Sequence, residues 1–195
     1  MTILQPPGTY TVKLAVAGRE LTAPLIVKKD PHSVGTDADI QQQMKTLEDL
    51  RRDVETTATL VNHIEWIRAQ LQAVQRLIDN SRDADVRSSA EALEQKLIGV
   101  EGTLIELRST GRGQDTVRWG SKLLGKINYL ANGLAGADER PTSQQLEVQK
   151  LHEERIAAAG KEVDGVLTKD LAALNDLLRS RNLPTIVVGP AKTGT

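Results

Sequence analysis

Apolar residues recur in steps of three and four for about forty positions: Ile40, Met44, Leu47, Leu50, Val54, Ala58, Val61, Ile64, Ile67, Leu71, Val74 and Ile78. Such a stripe lines one face of a helix and must be buried against other helices. Thr36 or Asp37 can cap this helix, its weakest stretch is Glu55-Thr56-Thr57-Ala58-Thr59, and Asn80-Ser81 ends it. Threonine is a poor helix former, hence the weakness. The chain holds two Trp, two Tyr and no Phe, so its core must be built from Leu, Ile, Val and Ala. Helices packed along seams suit that composition.

Three more helices follow. Ser81 or Asp83 can cap a second carrying Val86, Ala90, Leu93, Leu97, Val100, Leu104 and Leu107. After the loop Ser109-Thr110-Gly111-Arg112-Gly113, Asp115 can cap a third carrying Val117, Leu124, Ile127, Leu130 and Leu134. Thr142-Ser143-Gln144-Gln145 is a capping-box pattern. It opens a fourth carrying Val148, Leu151, Ile156, Ala159, Val163, Leu167, Leu171, Leu174 and Leu178, stopped by Asn182-Leu183-Pro184. Short connections make an antiparallel four-helix bundle over residues 36–184 the simplest arrangement. The first and fourth helices are the longest, roughly 60 Å each at 1.5 Å per residue. The loops near Asn80–Asp83 and Gly136–Thr142 should then share one end, leaving Ile40–Val54 and Val166–Leu178 to pair as a stalk at the other. Residues 185–195 read as a flexible tail.

Residues 1–31 follow a different period. Tyr10, Val12, Leu14 and Val16 alternate with Thr9, Thr11 and Lys13, Ala17-Gly18-Arg19 turns, and Leu21 to Lys28 returns. This is a β-hairpin, with Pro24 fixing its strand as an edge or a bulge. An isolated hairpin is marginal in water. It should therefore cover its apolar face on the helical stalk or pair its open edges into a homodimer, with the first preferred.

Much chemistry is excluded. Twenty-five Lys and Arg balance 26 Asp and Glu, which leaves no nucleic-acid footprint. There is no Cys for thiolate or disulfide chemistry. No apolar run reaches the roughly 18 residues of a membrane helix. Met-Thr-Ile-Leu-Gln-Pro-Pro-Gly has neither the basic region nor the apolar core of a signal peptide. Gly120-Ser121-Lys122-Leu123-Leu124-Gly125-Lys126-Ile127 mimics a phosphate loop, but Ile127 replaces the magnesium-holding hydroxyl and no strand precedes it. The residues three before His32, His63 and His152 are Lys29, Leu60 and Gln149, so no Glu-x-x-His pair exists for a di-iron site. His152-Glu153-Glu154-Arg155-Ile156 lacks the second His of a zinc protease, and no Gly-x-Ser-x-Gly elbow is present. No catalytic, cofactor or metal residue can be assigned. Trp66, Trp119 and Tyr129, with Tyr10, are the candidates for stacking on a surface ligand.

Pro7-Gly8-Thr9-Tyr10-Thr11-Val12-Lys13-Leu14 and Pro24-Leu25-Ile26-Val27-Lys28-Lys29-Asp30-Pro31 look like the last hairpin of an immunoglobulin-like domain. With Gly136-Ala137-Asp138, Pro141-Thr142, Gln145 and the run Asp170 to Arg179 ahead of Leu183-Pro184, the chain resembles the C-terminal region of bacterial sortilin-like β-propeller proteins. These are often labelled glycosyl hydrolases with BNR (Asp-box) repeats. The resemblance spans about Pro6 to Pro184. It implies an exported parent whose propellers carry any hydrolase activity, and it brings no catalytic residue to this chain, which is expected to be a fragment or a reading frame keeping only the tail. The function to expect is a non-catalytic interaction or assembly module whose partner is a protein or the upstream propeller domain. The alternative is an accessory domain binding polysaccharide or a cell surface.

Overall fold

A computed structural model describes residues 3–78 and 82–189. The protein is mainly helical and carries one two-stranded antiparallel hairpin. It divides into two compact units. Unit 1 comprises residues 1–52 and 128–149, and unit 2 residues 53–127 and 150–195.

In unit 1, β1 (Gly8–Val16) and β2 (Arg19–Val27) pair from Gly8↔Val27 to Val16↔Arg19. Both turn residues, Ala17 (φ 49°) and Gly18 (φ 77°), are left-handed. That is the two-residue turn whose twist matches paired strands. Pro24 faces Thr11 in a sheet where each strand has an open edge. The helix α1 (Asp37–Leu77) begins in this unit. Thr36 caps it: its hydroxyl accepts from the Asp39 N–H at 3.2 Å, and the Asp39 carboxylate accepts from the Thr36 N–H at 3.0 Å. The side-chain amide of Gln43, itself buried, donates to the carbonyls of Leu134 and Ala137, tying α1 to the connection between α4 (Leu123–Leu134) and α5 (Ser143–Gly165). A second capping box opens α5, with Thr142 and Gln145 exchanging bonds of 2.8 and 3.2 Å.

α1 runs unbroken through Thr56-Thr57, where the Thr57 hydroxyl, fully buried, donates to the Asp53 carbonyl at 2.7 Å. The stop assigned to Asn80-Ser81 lies outside the described residues. In unit 2, α1 packs antiparallel to α2 (Ala84–Leu104): Gln72 meets Glu94, and Arg87 reaches the Gln75 carbonyl. Along α2 the residues Val86, Ala90, Leu93, Leu97, Val100 and Leu104 are at most 2% exposed. Leu107 is not on that seam; the helix ends at Leu104 with Ile105 extended, and Leu107 is exposed.

The expected third helix is two elements, α3 (Asp115–Arg118) and α4, separated by residues 119–122. Trp119 turns extended (φ −125°, ψ 121°), and its ring lies 4.0 Å beneath the Arg108 guanidinium carbon. Gln114 takes the cap position assigned to Asp115, and Val117, placed on the seam, is exposed. α4 contributes Leu123–Ile127 to unit 2 and its remainder to unit 1, so the long helical segments of unit 2 are α1, α2 and the α5–α6 run.

α5 continues through a π-helical turn (Val166–Leu171) into α6 (Ala172–Ser180). Its buried line is Gln149, His152, Ile156, Ala159, Val163, Val166, Leu171, Leu174 and Leu178. Val148 and Leu151, expected on that line, are exposed, because stepping back by four and three from Ile156 lands on His152 and Gln149. Leu167 is displaced by the wide turn, which makes the step from Val166 to Leu171 five residues. The π turn and α6 pack on α2, with Lys96–Asp170 at 2.8 Å and Arg181–Asp85 at 2.7 Å. Val166–Leu178, expected in the stalk, thus packs on α2 within unit 2.

Asn182 (φ 53°) closes α6, and the Leu183 N–H donates to the Leu178 carbonyl at 2.9 Å. Residues 185–189, read as part of a flexible tail, are docked. The Asn175 side-chain amide both accepts from the Ile186 N–H (2.8 Å) and donates to its carbonyl (2.9 Å), and Gln70 does the same for Val187 (2.9 and 2.7 Å). Ile186 is 3% exposed. Residues 190–195 lie outside the described residues.

Between α1 and α2, Arg68 pairs with Glu101, whose side chain is almost fully buried. Burial pushes this carboxyl above its usual range against the pull of Arg68. Removing one member of a buried pair strands the other charge, at a cost of about 3–5 kcal/mol. Arg68→Met should lose stability of that order in urea unfolding at pH 7, with the loss shrinking as acid neutralises Glu101. The double variant Arg68→Met, Glu101→Leu should recover most of it.

Candidate interaction surface

The period-two pattern of the hairpin sorts its side chains onto two faces. Tyr10↔Leu25, Val12↔Ala23 and Leu14↔Leu21 put most of the apolar residues on one face, with Val16 at its tip, while Ile26, opposite Thr9, belongs to the other face. Thr9, Thr11, Lys13, Thr22 and Glu20 lie on the other, where Lys13 and Glu20 pair at 2.6 Å. The apolar face is open: Val12 is 49% exposed, Leu14 55%, Val16 59% and Leu21 67%. The expected packing of this face does not occur against the helices of unit 1. Instead the helices of unit 1 meet only the hairpin's base, where Leu4, Pro6, Val27, Ile40, Met44 and Leu47 are among the residues lining a groove of about 440 Å³. The Tyr10 hydroxyl is anchored on the Pro6 carbonyl at 2.7 Å, fixing the entry of β1.

The stacking candidates do not form a platform. Trp66, on α1, is 45% exposed beside Gly189. Tyr129, on α4, is 83% exposed. Trp119 lies under Arg108, and Tyr10 is taken up in the hairpin. Three partners thus hold the turn after α2 together: Arg108 stacks on Trp119 while its Nε and Nη2 donate to Glu106 at 2.7 and 2.9 Å. Nearby, the Asp115 carboxylate accepts from the Thr110 N–H at 2.7 Å and from the Arg112 N–H at 3.3 Å. Partial desolvation would raise Asp115, but these bonds outweigh it and hold it below its usual range. A carboxylate so engaged is a loop brace rather than a proton carrier.

The phosphate-loop mimic is split between Gly120–Lys122, which belong to no helix or strand, and the first turns of α4, with Ile127 fully buried. Burial keeps the His152 imidazole below its ordinary value, with Arg155 and Lys126 adding to the effect. Its Nδ1 is buried without a hydrogen-bond partner among the described residues. Among those residues no group of three His, Asp or Glu could hold a metal ion, and no helix is long and apolar enough to cross a membrane. Sequence reasoning missed Gln149, His152 and Glu101, all buried polar residues. Their spacing from Ile156 and Leu97 was the available signal.

Compared with known proteins, the chain matches no family model, no curated protein and no solved structure.

The hydrogen bonds from Arg108 lower the Glu106 carboxyl to about 2. A carboxylate depressed in the folded state stabilises above its unfolded value and loses that contribution as pH falls toward the folded one. In a Trp66→Phe background, Trp119 fluorescence should report loosening of this turn between pH 4.5 and about 2. Arg108→Ala should show the loosened signal already at pH 7.

Proposed function

We propose that this chain is a non-catalytic helical module for interaction and assembly, the C-terminal part of an exported β-propeller protein, and that β1 and β2 are the last strands of an immunoglobulin-like domain. The observation that carries this reading is the uncovered apolar face of the hairpin. Exposed apolar faces of this kind mark surfaces meant for another protein. Nine residues per strand and two strands give a face of roughly 30 by 10 Å, or about 300 Å². Two copies stacked face to face would bury about 600 Å², half of what the smaller stable complexes use. A homodimer through this face alone is therefore weak, and a broader sheet is the better cover.

The Pro-Gly-Thr-Tyr entry gives a second support. In immunoglobulin-like domains a tyrosine near the start of the penultimate strand bonds back to backbone a few residues upstream. Tyr10 to Pro6 has that form. The helices would then follow the sandwich as its assembly arm. A role in binding polysaccharide or a cell surface is favoured by Tyr129 alone, and retention on polysaccharide lost with Tyr129→Ala would decide for it.

The test is the pair Val12→Lys, Leu25→Lys. Because the face is uncovered, the double variant should melt within about 0.5 kcal/mol of the wild type, as surface substitutions do. Weak association of the wild type in sedimentation velocity at high concentration should vanish in the variant. A loss of stability comparable to a core substitution, or turnover of chromogenic glycosides by this chain, would overturn the reading.

A further inference from the structure

Residues 185–189 cross unit 2 as an extended strap that is held in an unusual way. Among the described residues no strand runs beside it. Its main chain is read instead by two side-chain amides, one on each edge. In extended backbone the N–H and C=O of one residue point the same way and those of the next point oppositely. Asn175, on α6, takes both groups of Ile186, and Gln70, on α1, takes both groups of Val187. The two amides together imitate the neighbouring strands of a sheet. Only one strap side chain is buried, Ile186 at 3% exposure, while Val187 and Val188 stand half in solvent. Two residues further, Gly189 lies so close to Trp66 that a Cβ there would sit 2.7 Å from the indole Nε1.

These contacts describe a recognition groove rather than a sequence-wide packing surface. Main-chain bonds accept any extended residue, the Ile186 position requires one aliphatic side chain, and Trp66 requires a glycine three residues later. We infer that the face of α1 and α6 carrying Gln70, Asn175 and Trp66 is a peptide-binding groove, occupied in cis by residues 185–189, whose outside ligand is an extended segment of a partner protein with an aliphatic residue followed three positions later by glycine. The strap's own chemistry, Thr185-Ile186-Val187-Val188-Gly189, is the evidence for that ligand class. Its β-branched run favours the extended form the amides need. The groove is independent of the hairpin, so either reading can fail without the other.

The probe is a fluorescent peptide of residues 183–195, titrated into the full chain by anisotropy. The intact wild type should bind it weakly, since the strap competes from within. Ile186→Asp, which unseats the strap without shortening the chain, should bind at least about tenfold more tightly. Adding Asn175→Ala and Gln70→Ala should cancel that gain, and a peptide carrying alanine in place of its glycine should bind about tenfold more weakly. Absence of binding to a helical, folded Ile186→Asp chain overturns the proposal, as does binding indifferent to the two amides. If Ile186→Asp does not fold, a protease site placed between Asn182 and Leu183 gives a nicked wild type. Exchange of its strap for the labelled peptide then supports the groove, and failure to exchange overturns it. Dimerisation of the wild type that the amide substitutions abolish would assign the groove to a second copy and overturn the claim of a separate partner.

Discussion

The helices of unit 2 depend on one narrow seam. With no phenylalanine in the chain, burial has to come from aliphatic side chains set a helical turn apart. Ile64, Ile67 and Leu71 of α1, with Leu93, Leu97 and Leu104 of α2, are sealed from solvent. Aliphatic cores of this kind grow in length rather than in thickness. Most of the polar groups buried along these helices are held, Glu101 by Arg68, Gln43 by two carbonyls and Thr57 by the backbone of its own helix, whereas the His152 Nδ1 has no hydrogen-bond partner among the described residues. Most buried polar groups in folded proteins are satisfied in this way.

The sequence was legible where spacing and capping agreed. α2 could be read almost residue by residue, because its apolar positions admit a single helical phase. Thr36 and Thr142 announced their helices through the residues three places on. The hairpin was legible from alternation and from a Gly at the turn, although Arg19, read as part of the turn, opens β2. The reading failed where hydrophobicity outvoted phase. Val148 and Leu151 looked like seam residues because they are apolar, yet the line through Ile156 had already assigned those places to Gln149 and His152. It failed again at Trp119, where stacking with Arg108 overrode a continuous helical pattern.

The interaction surface was half legible. Its apolar alternation is plain in the sequence, but whether a face is covered depends on distant segments, and the hairpin turned out to be held only at its base. The strap at residues 185–189 was invisible to pattern reading for a different reason. Its anchors, Gln70 and Asn175, are ordinary polar residues on helix surfaces, and only the fold brings them to either side of one extended segment.

The π turn between α5 and α6 bears on how this helix tolerates change in length. Removing one residue from an α-helix rotates everything beyond it by about 100°. Anywhere along Ser143–Gly165 such a deletion would swing Leu171, Leu174 and Leu178 away from α2. Within Val166–Leu171 the wide turn already holds one residue more than a regular helix needs. A single-codon deletion there would shorten the step from Val166 to the next seam leucine from five to four and leave the downstream face in phase. This segment is thus the one place in the long helix where the reading frame of the core and the length of the gene can vary independently.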